Sequence, residues 1–158
     1  MFYEMRRKDR ILSEDDAKKI LSEGEYGVLS TIGENGYPYG VPVSYAYTDG
    51  AIYFHCAAGK GHKLANIAFN SHVSFTVIVD TEVVPEGLTT RYRSAIVFGK
   101  AEKTDGEEKK KALMALVKKY SPDFMDRGQK SMDTSFNVTD VYKIVPDHIS
   151  GKVNKANK

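Results

Sequence analysis

The amino-acid sequence predicts a mainly β protein, a small antiparallel barrel of six strands with peripheral helices packed outside it. Short runs rich in valine, isoleucine and aromatic residues recur along the chain, which is typical of strands. Tight-turn signals separate several runs, such as GENG at residues 33–36 and Asp-Gly at residues 49–50. Closing a sheet of short strands into a barrel removes exposed edges. We expect one domain over residues 1–158, which is long enough to bury a core.

The composition bounds the class of function. Hydrophobic residues make up 41% of the chain and charged residues 28%, as in soluble globular proteins. The net charge is only +2, so electrostatics favour neither a nucleic-acid nor an acidic-membrane partner. The single cysteine, Cys56, excludes an internal disulfide and a multi-cysteine metal site, and it fits a reducing compartment. No apolar run follows the basic N-terminus, so we predict neither a signal peptide nor a membrane span and expect a cytoplasmic protein.

The N-terminal part begins with a charged arm over residues 1–12. Ser13 and Asp16 then resemble a capping box, and Gly24 ends the helix that they begin. Proline interrupts the second of the strands that follow, which indicates an edge strand, a bulge or a side that faces a ligand. The strands of this part are expected over residues 26–32, 37–47 and 51–54.

The C-terminal part continues the strand pattern and adds a second clear helix. Gly99 is a predicted bulge. Thr104 and Glu107 resemble a capping box ahead of an amphipathic helix whose apolar face includes Leu116 and Tyr120. The remaining segments are strands over residues 71–79, 92–103 and 137–145, a loop over 80–91, an irregular or weakly helical segment over 121–134, and a frayed polar tail over 147–158.

Residues 51–70 contain the best local indication of a binding site. They read as a buried strand, a turn of small residues and a helix that begins near His62 and Lys63. The start of a helix leaves backbone N–H groups unpaired and carries the positive end of the helix dipole. Small residues nearby let an anion approach, so a phosphate cradle is one interpretation. An ordinary strand-to-helix connection with solvated basic residues explains the same pattern equally well.

Other chemistry finds less support in the sequence. His55 and Cys56 are adjacent on a predicted strand and point to opposite faces, so they do not form a nucleophile and base pair. We expect Cys56 to be a buried structural residue. The histidines lack the spacing of metal ligands, so no metal site is predicted. The glycines of residues 33–40 do not match the dinucleotide-binding fingerprint.

Three longer runs carry a family resemblance. These are GYPYGVPVSYAY at residues 36–47, DGAIYFHCAAGKGHK at 49–63 and YRSAIVFGKAE at 92–102. Together they resemble the pyridoxamine-phosphate-oxidase-like FMN-binding split barrels, and within them they are most similar to the nitroimidazole-resistance branch. The resemblance covers about residues 5–150. It implies a six-stranded split β-barrel and a homodimer with one FMN in each of two interface clefts, each built from both chains.

The resemblance also implies a role for particular residues. The backbone of residues 41–44 would line the flavin ring, His62 and Lys63 would hold the phosphate, and Tyr92 and Ser94 would approach the ring or the ribityl chain. His55 would lie nearest the reactive ring and is the catalytic candidate, because imidazole can donate to a bound substrate. The full implied cofactor-binding set is Val41, Pro42, Val43, Ser44, His55, Cys56, His62, Lys63, Tyr92 and Ser94.

The implied activity is an FMN-dependent oxidoreductase that reduces a small electron-poor molecule such as a nitroimidazole. None of the six arginines lies in the C-terminal tail, which argues against oxidation of vitamin B6. His62 stands where related sequences often carry arginine, which weakens the phosphate clamp because only arginine offers a fixed fork of donors. The alternatives are a non-catalytic FMN protein for storage or sensing, and a barrel that binds a deazaflavin or a tetrapyrrole such as haem.

Overall fold

A computed structural model describes residues 1–155, which form one antiparallel sheet of eight strands and four α-helices. The strands are β1 Ile11–Leu12, β2 Gly27–Ile32, β3 Pro38–Val43, β4 Ala46–Thr48, β5 Ala51–Ala57, β6 His72–Val84, β7 Thr89–Thr104 and β8 Thr139–Asn154. The helices are α1 Glu14–Glu23, α2 His62–Phe69, α3 Gly106–Tyr120 and α4 Met125–Ser135.

The sheet follows the order β3-β2-β6-β7-β8-β5-β4, and β1 pairs with the far end of β8. Within residues 1–155 this hydrogen-bonded path does not close, so the barrel is split and both β3 and β4 keep a free edge. The predicted mainly β fold and split antiparallel barrel are therefore confirmed. Eight strands replace the predicted six because residues 37–47 divide into β3 and β4, and because Ile11–Leu12 forms the short β1.

The segment predicted as a frayed tail is mostly a strand. Residues 147–154 continue β8, and residues 148–154 pair with residues 92–98 of β7, while β1 pairs on their other side. The prediction was wrong because β7 is long enough to hydrogen-bond with this whole segment. Ile149 also packs against the larger of the two hydrophobic cores, the main core described below. Residues 156–158 of the predicted tail lie outside the described residues.

Two other local predictions were also wrong. The expected loop over residues 80–91 is a hairpin, in which residues 82–84 pair with residues 89–91 after an irregularity in register. Thr104 is buried in β7, and its hydroxyl donates to the Val141 carbonyl at 3.1 Å. The side chain of Asp105 caps α3 instead, and it accepts a hydrogen bond from the backbone N–H of Gly106.

Helix α1 packs against the main core. The predicted cap is present, because the Ser13 hydroxyl accepts from the Asp16 N–H at 3.1 Å. Ala17, Ile20 and Leu21 on this helix have no exposed surface. They pack with Tyr45, in the connection between β3 and β4, and with inward-facing residues of the sheet, which include Leu29, Ile52, Phe54, Phe75, Val77, Val97 and Ile144.

Helix α3 covers a second, smaller core on β5 and β8, formed by Ala51, Tyr53, Ala112 and Val141. Its last residue, Tyr120, accepts a hydrogen bond from the Tyr45 N–H at 2.8 Å, which joins α3 to the connection between β3 and β4. In the described part of the chain, no helix combines the length and apolar composition that crossing a bilayer requires.

Gly99 lies at the predicted bulge, where the register between β7 and β8 shifts. A Cβ atom at this position would overlap the backbone carbonyl of Val145, which cannot move without breaking the β7–β8 ladder. We expect Gly99→Ala to lower the free energy of unfolding by about 1–3 kcal/mol, measured by urea denaturation. Gly40→Ala is the control, because its Cβ would be at ordinary contact distance from Val28 and Ser30. Equal stability of the two variants would contradict the close approach.

Candidate functional site

The backbone of β3 forms one side of the candidate site. β3 pairs only with β2, so its other edge has no strand partner within residues 1–155. Val41 and Val43 pack against the main core, while Pro42 is exposed on the opposite face. Along such an edge, alternate backbone N–H and C=O groups point away from the paired strand. The predicted ring-binding segment, Val41 to Ser44, therefore offers backbone groups to a ligand.

The end of β5 forms the second side. β5 extends further than predicted, through Ala57, and places His55 and Cys56 opposite Val141 and Asp140 of β8. β4 covers only the first three residues of β5, so the end of this strand keeps a free edge. Cys56 is buried, and its thiol donates to the backbone oxygen of Asp140 at 3.8 Å. His55 is exposed. The two side chains thus occupy different environments and do not form a catalytic pair.

The start of α2 forms the third side. Gly61 caps this helix with φ of 119°, a conformation that side-chain-bearing residues rarely adopt. Its carbonyl accepts from the N–H groups of both Leu64 and Ala65. The N–H groups of His62 and Lys63 have no partner among residues 1–155, and no side chain caps the helix. Two free donors and the positive end of the dipole therefore point out of α2.

The basic side chains at this helix start are free of carboxylates. Neither His62 nor Lys63 forms a salt bridge in the part of the chain that the structure describes. Although part of the His55 ring is exposed, the protein atoms packed around it displace water and lower its pKa, and the nearby charge of Lys63 lowers it further. Burial raises the pKa of the Cys56 thiol, with Lys63 acting in the opposite direction. The thiol is therefore a poor nucleophile, and Lys63 is close enough to act electrostatically on the end of β5.

Four residues that sequence reasoning missed hold these three sides in place. Asn66 of α2 donates to the Thr31 hydroxyl of β2 at 2.9 Å, and both side chains are buried. The Tyr39 ring of β3 stacks on the His62 imidazole, with the ring centroids 4.1 Å apart. The buried Asp140 accepts from the Gly59 N–H at 3.0 Å and so fixes the turn before α2. The sequence signal that could have identified Asn66 is its place, as a polar residue, on the apolar face of α2.

The structure does not bring Tyr92 and Ser94 to this cluster within one chain. These two residues of β7 lie opposite Asn154 and Lys152 of β8, whereas His55 lies opposite Val141. Along β8 the two groups are 11–13 residues apart, roughly 35–45 Å of strand. Their predicted approach to the flavin therefore requires a second copy of the chain, as the predicted two-chain cleft would provide.

A separate cavity of about 590 Å³ lies under the N-terminal arm, between Phe2, Leu12 and His148. The Phe2 ring stacks on the His148 ring at a centroid distance of 4.6 Å. The charged residues at its rim, Glu4 and Lys8, pair with each other at 2.7 Å. This cavity offers no free charge to an anion among residues 1–155, so the candidate site is the cluster of residues 39–44, 55–57 and 61–63, which we call the α2 cleft.

Several solved structures share this fold. A candidate 5-nitroimidazole antibiotic resistance protein from Bacteroides thetaiotaomicron VPI-5482 is 25% identical, with a TM-score of 0.77 over 90% of this chain and 86% of that chain. The FAD and heme binding protein from Mycobacterium smegmatis is 19% identical, with a TM-score of 0.78 over 90% and 72% of the two chains. The flavocytochrome Anf3 from Azotobacter vinelandii is 18% identical, with a TM-score of 0.81 over 97% and 73%. The last two show likeness of fold alone, and it is a fold that flavin-binding proteins use.

No curated protein matches the sequence. The sequence profile of a family described as pyridoxamine 5'-phosphate oxidase matches residues 13–153, which is most of the chain. Together with the likeness to the Bacteroides protein, this match confirms the resemblance drawn from the three sequence runs. The chain belongs to the pyridoxamine 5'-phosphate oxidase family.

Proposed function

We propose that this protein binds FMN in the α2 cleft. The observation that carries the proposal is the start of α2, where two backbone N–H groups and two basic side chains, His62 and Lys63, lie together with no hydrogen-bond or salt-bridge partner among residues 1–155. A terminal phosphate carries close to two negative charges and several acceptor oxygens, which such a set of donors matches. The free edge of β3 at Val41, Pro42, Val43 and Ser44 is a suitable place for the polar edge of the flavin ring.

The proposed activity is that of an oxidoreductase acting on a small electron-poor substrate such as a nitroimidazole. A bound flavin supplies the two-electron redox chemistry, and the protein supplies binding and orientation. The likeness to the Bacteroides resistance protein supports this substrate class. The lowered pKa of His55 favours its neutral imidazole, whose N–H can donate to a substrate without adding a charge to the cleft. The chain's residues call for no further acid or base.

We further propose that the protein is a homodimer whose second copy covers the outer face of the sheet. Register places five uncharged residues in one row across this face, Pro42, Val28, Thr76, Ile96 and Ser150. Neighbouring rows add Ile78 and Phe98, which are 58% and 41% exposed.

Charged side chains border this central row: Lys152 lies beside Ser94 in the row of Ile78, and Lys100 lies between His72 and Val145. A sheet face with an uncharged central row and exposed large apolar residues favours a protein partner over water. Tyr92 and Ser94 lie on the same face, so a second copy of the chain would carry them toward the α2 cleft.

Lys63→Ala tests the phosphate role directly. We expect the freshly purified protein to show a flavin spectrum, and mass spectrometry of the extracted cofactor to identify FMN. Removing the Lys63 ammonium should weaken FMN binding roughly 10- to 100-fold, because a charge-assisted hydrogen bond contributes about 1.5–3 kcal/mol. Fluorescence titration of the cofactor-free protein measures this change.

Lys60→Ala is the matched control for that experiment, since Lys60 lies in the same turn and is exposed. It should leave FMN affinity nearly unchanged. Wild-type affinity in the Lys63→Ala protein would contradict the proposed cradle. Extraction of FAD, a deazaflavin or haem instead of FMN would contradict the cofactor assignment.

His55→Ala tests the proposed enzymatic role. NADH or NADPH should bleach the flavin of the anaerobic protein, and a 5-nitroimidazole should restore its colour. At saturating FMN, loss of one hydrogen bond to the substrate should slow that recovery about tenfold. Stopped-flow absorbance measures the rate. A reduced flavin that the nitro compound does not reoxidise in the wild-type protein would favour storage or sensing of FMN.

Ile78→Glu tests the dimer. In sedimentation velocity the wild type should be a dimer. The dissociation constant of the variant dimer should be higher by roughly 100-fold or more, because two carboxylates would be placed in an apolar interface. FMN affinity should fall with it. Phe124→Glu is the control, since Phe124 is 60% exposed but lies before α4, away from the sheet. A monomeric wild type, or a dimeric Ile78→Glu protein, would overturn this arrangement.

A further inference from the structure

We infer that Tyr39 is a positioning residue, which holds the His62 imidazole at the phosphate end of the α2 cleft and thereby favours phosphorylated flavins. The inference rests on the proposed function. The Tyr39 and His62 rings are stacked, with a centroid distance of 4.1 Å and an angle of 29° between their planes. Through this contact a side chain of β3 touches the first residue of α2.

The backbone under Tyr39 is held firmly. Tyr39 lies opposite Thr31 in the ladder between β2 and β3, and its carbonyl also accepts from the Thr31 hydroxyl at 3.4 Å. The same hydroxyl accepts from Asn66 of α2 at 2.9 Å. Thr31 and Asn66 are each only 4% exposed. Leaving a buried polar group without a partner destabilises the folded state. This chain of contacts therefore fixes α2 against β2 and β3.

The His62 side chain lacks such support of its own. It is exposed, and among the described residues it makes no hydrogen bond or salt bridge, so the Tyr39 ring is what restricts its rotation. Binding a ligand with a freely rotating side chain costs ordering free energy at the moment of binding. Because the stack restricts the His62 ring before the ligand arrives, less ordering free energy is lost on binding, and the Tyr39 side chain can raise affinity through His62.

The aromatic ring of Tyr39, and not its hydroxyl, is the part that acts. In the described part of the chain the hydroxyl has no hydrogen-bond partner, whereas the ring contacts His62 face to face. Phenylalanine should therefore replace Tyr39 without loss, and leucine should not. Because His62 is placed at the phosphate, the effect should appear with FMN and be absent with riboflavin, which has no phosphate.

The test compares Tyr39→Leu and Tyr39→Phe by titrating each cofactor-free protein with FMN and with riboflavin. Tyr39→Leu should weaken FMN binding roughly 3- to 10-fold, as expected for the loss of one aromatic contact. Its riboflavin affinity should not change, and Tyr39→Phe should match the wild type for both ligands. Tyr37→Leu is the control, since Tyr37 directly precedes β3, is 75% exposed and stacks on nothing among residues 1–155.

A double-mutant cycle completes the test. In a His62→Ala background, Tyr39→Leu should have no further effect on FMN affinity, because the residue through which it acts is gone. Equal losses for FMN and riboflavin, or an undiminished effect in the His62→Ala protein, would overturn the positioning role alone. A wild-type protein that binds neither flavin would overturn the proposed function and this role with it.

Discussion

The fold depends on a sheet whose hydrogen-bonded path stops before it closes. β3 ends the path on one side, and β4 covers only the start of β5 on the other. Free strand edges usually invite aggregation, so proteins cover or exploit them. Here the connection after β5 turns back as α2 and packs on β2, which brings the two free edges to the same helix start. The split in the barrel is thus also where unpaired backbone donors collect.

The buried Asn66–Thr31 hydrogen bond makes this arrangement definite. Helix α2 has only eight residues and would not be stable alone in water. Its apolar residues Leu64 and Ile67 anchor it to the core, but apolar packing is weakly directional. A buried polar pair with a single satisfied geometry fixes its orientation. These buried contacts fix the positions of His62 and Lys63 at the start of the helix.

Much of the fold and the local features of the site could be predicted from the sequence. Strand periodicity, the Asp49-Gly50 turn and the Ser13 cap are local signals, and the structure confirms each of them. The paired state of residues 147–154 could not be predicted, because it depends on the length of β7, a distant partner. The roles of Tyr39 and Asp140 were missed for the same reason, since each acts through contacts between segments far apart in sequence.

Hydrogen–deuterium exchange, followed as FMN is added, locates the site without any substitution. If FMN binds as proposed, amides in residues 39–44 and 61–64 should exchange more slowly, because the ligand would occupy the free β3 edge and the uncapped start of α2. Amides of the N-terminal arm beside the 590 Å³ cavity should be unaffected. Protection confined to that arm, with unchanged exchange at the start of α2, would contradict the account.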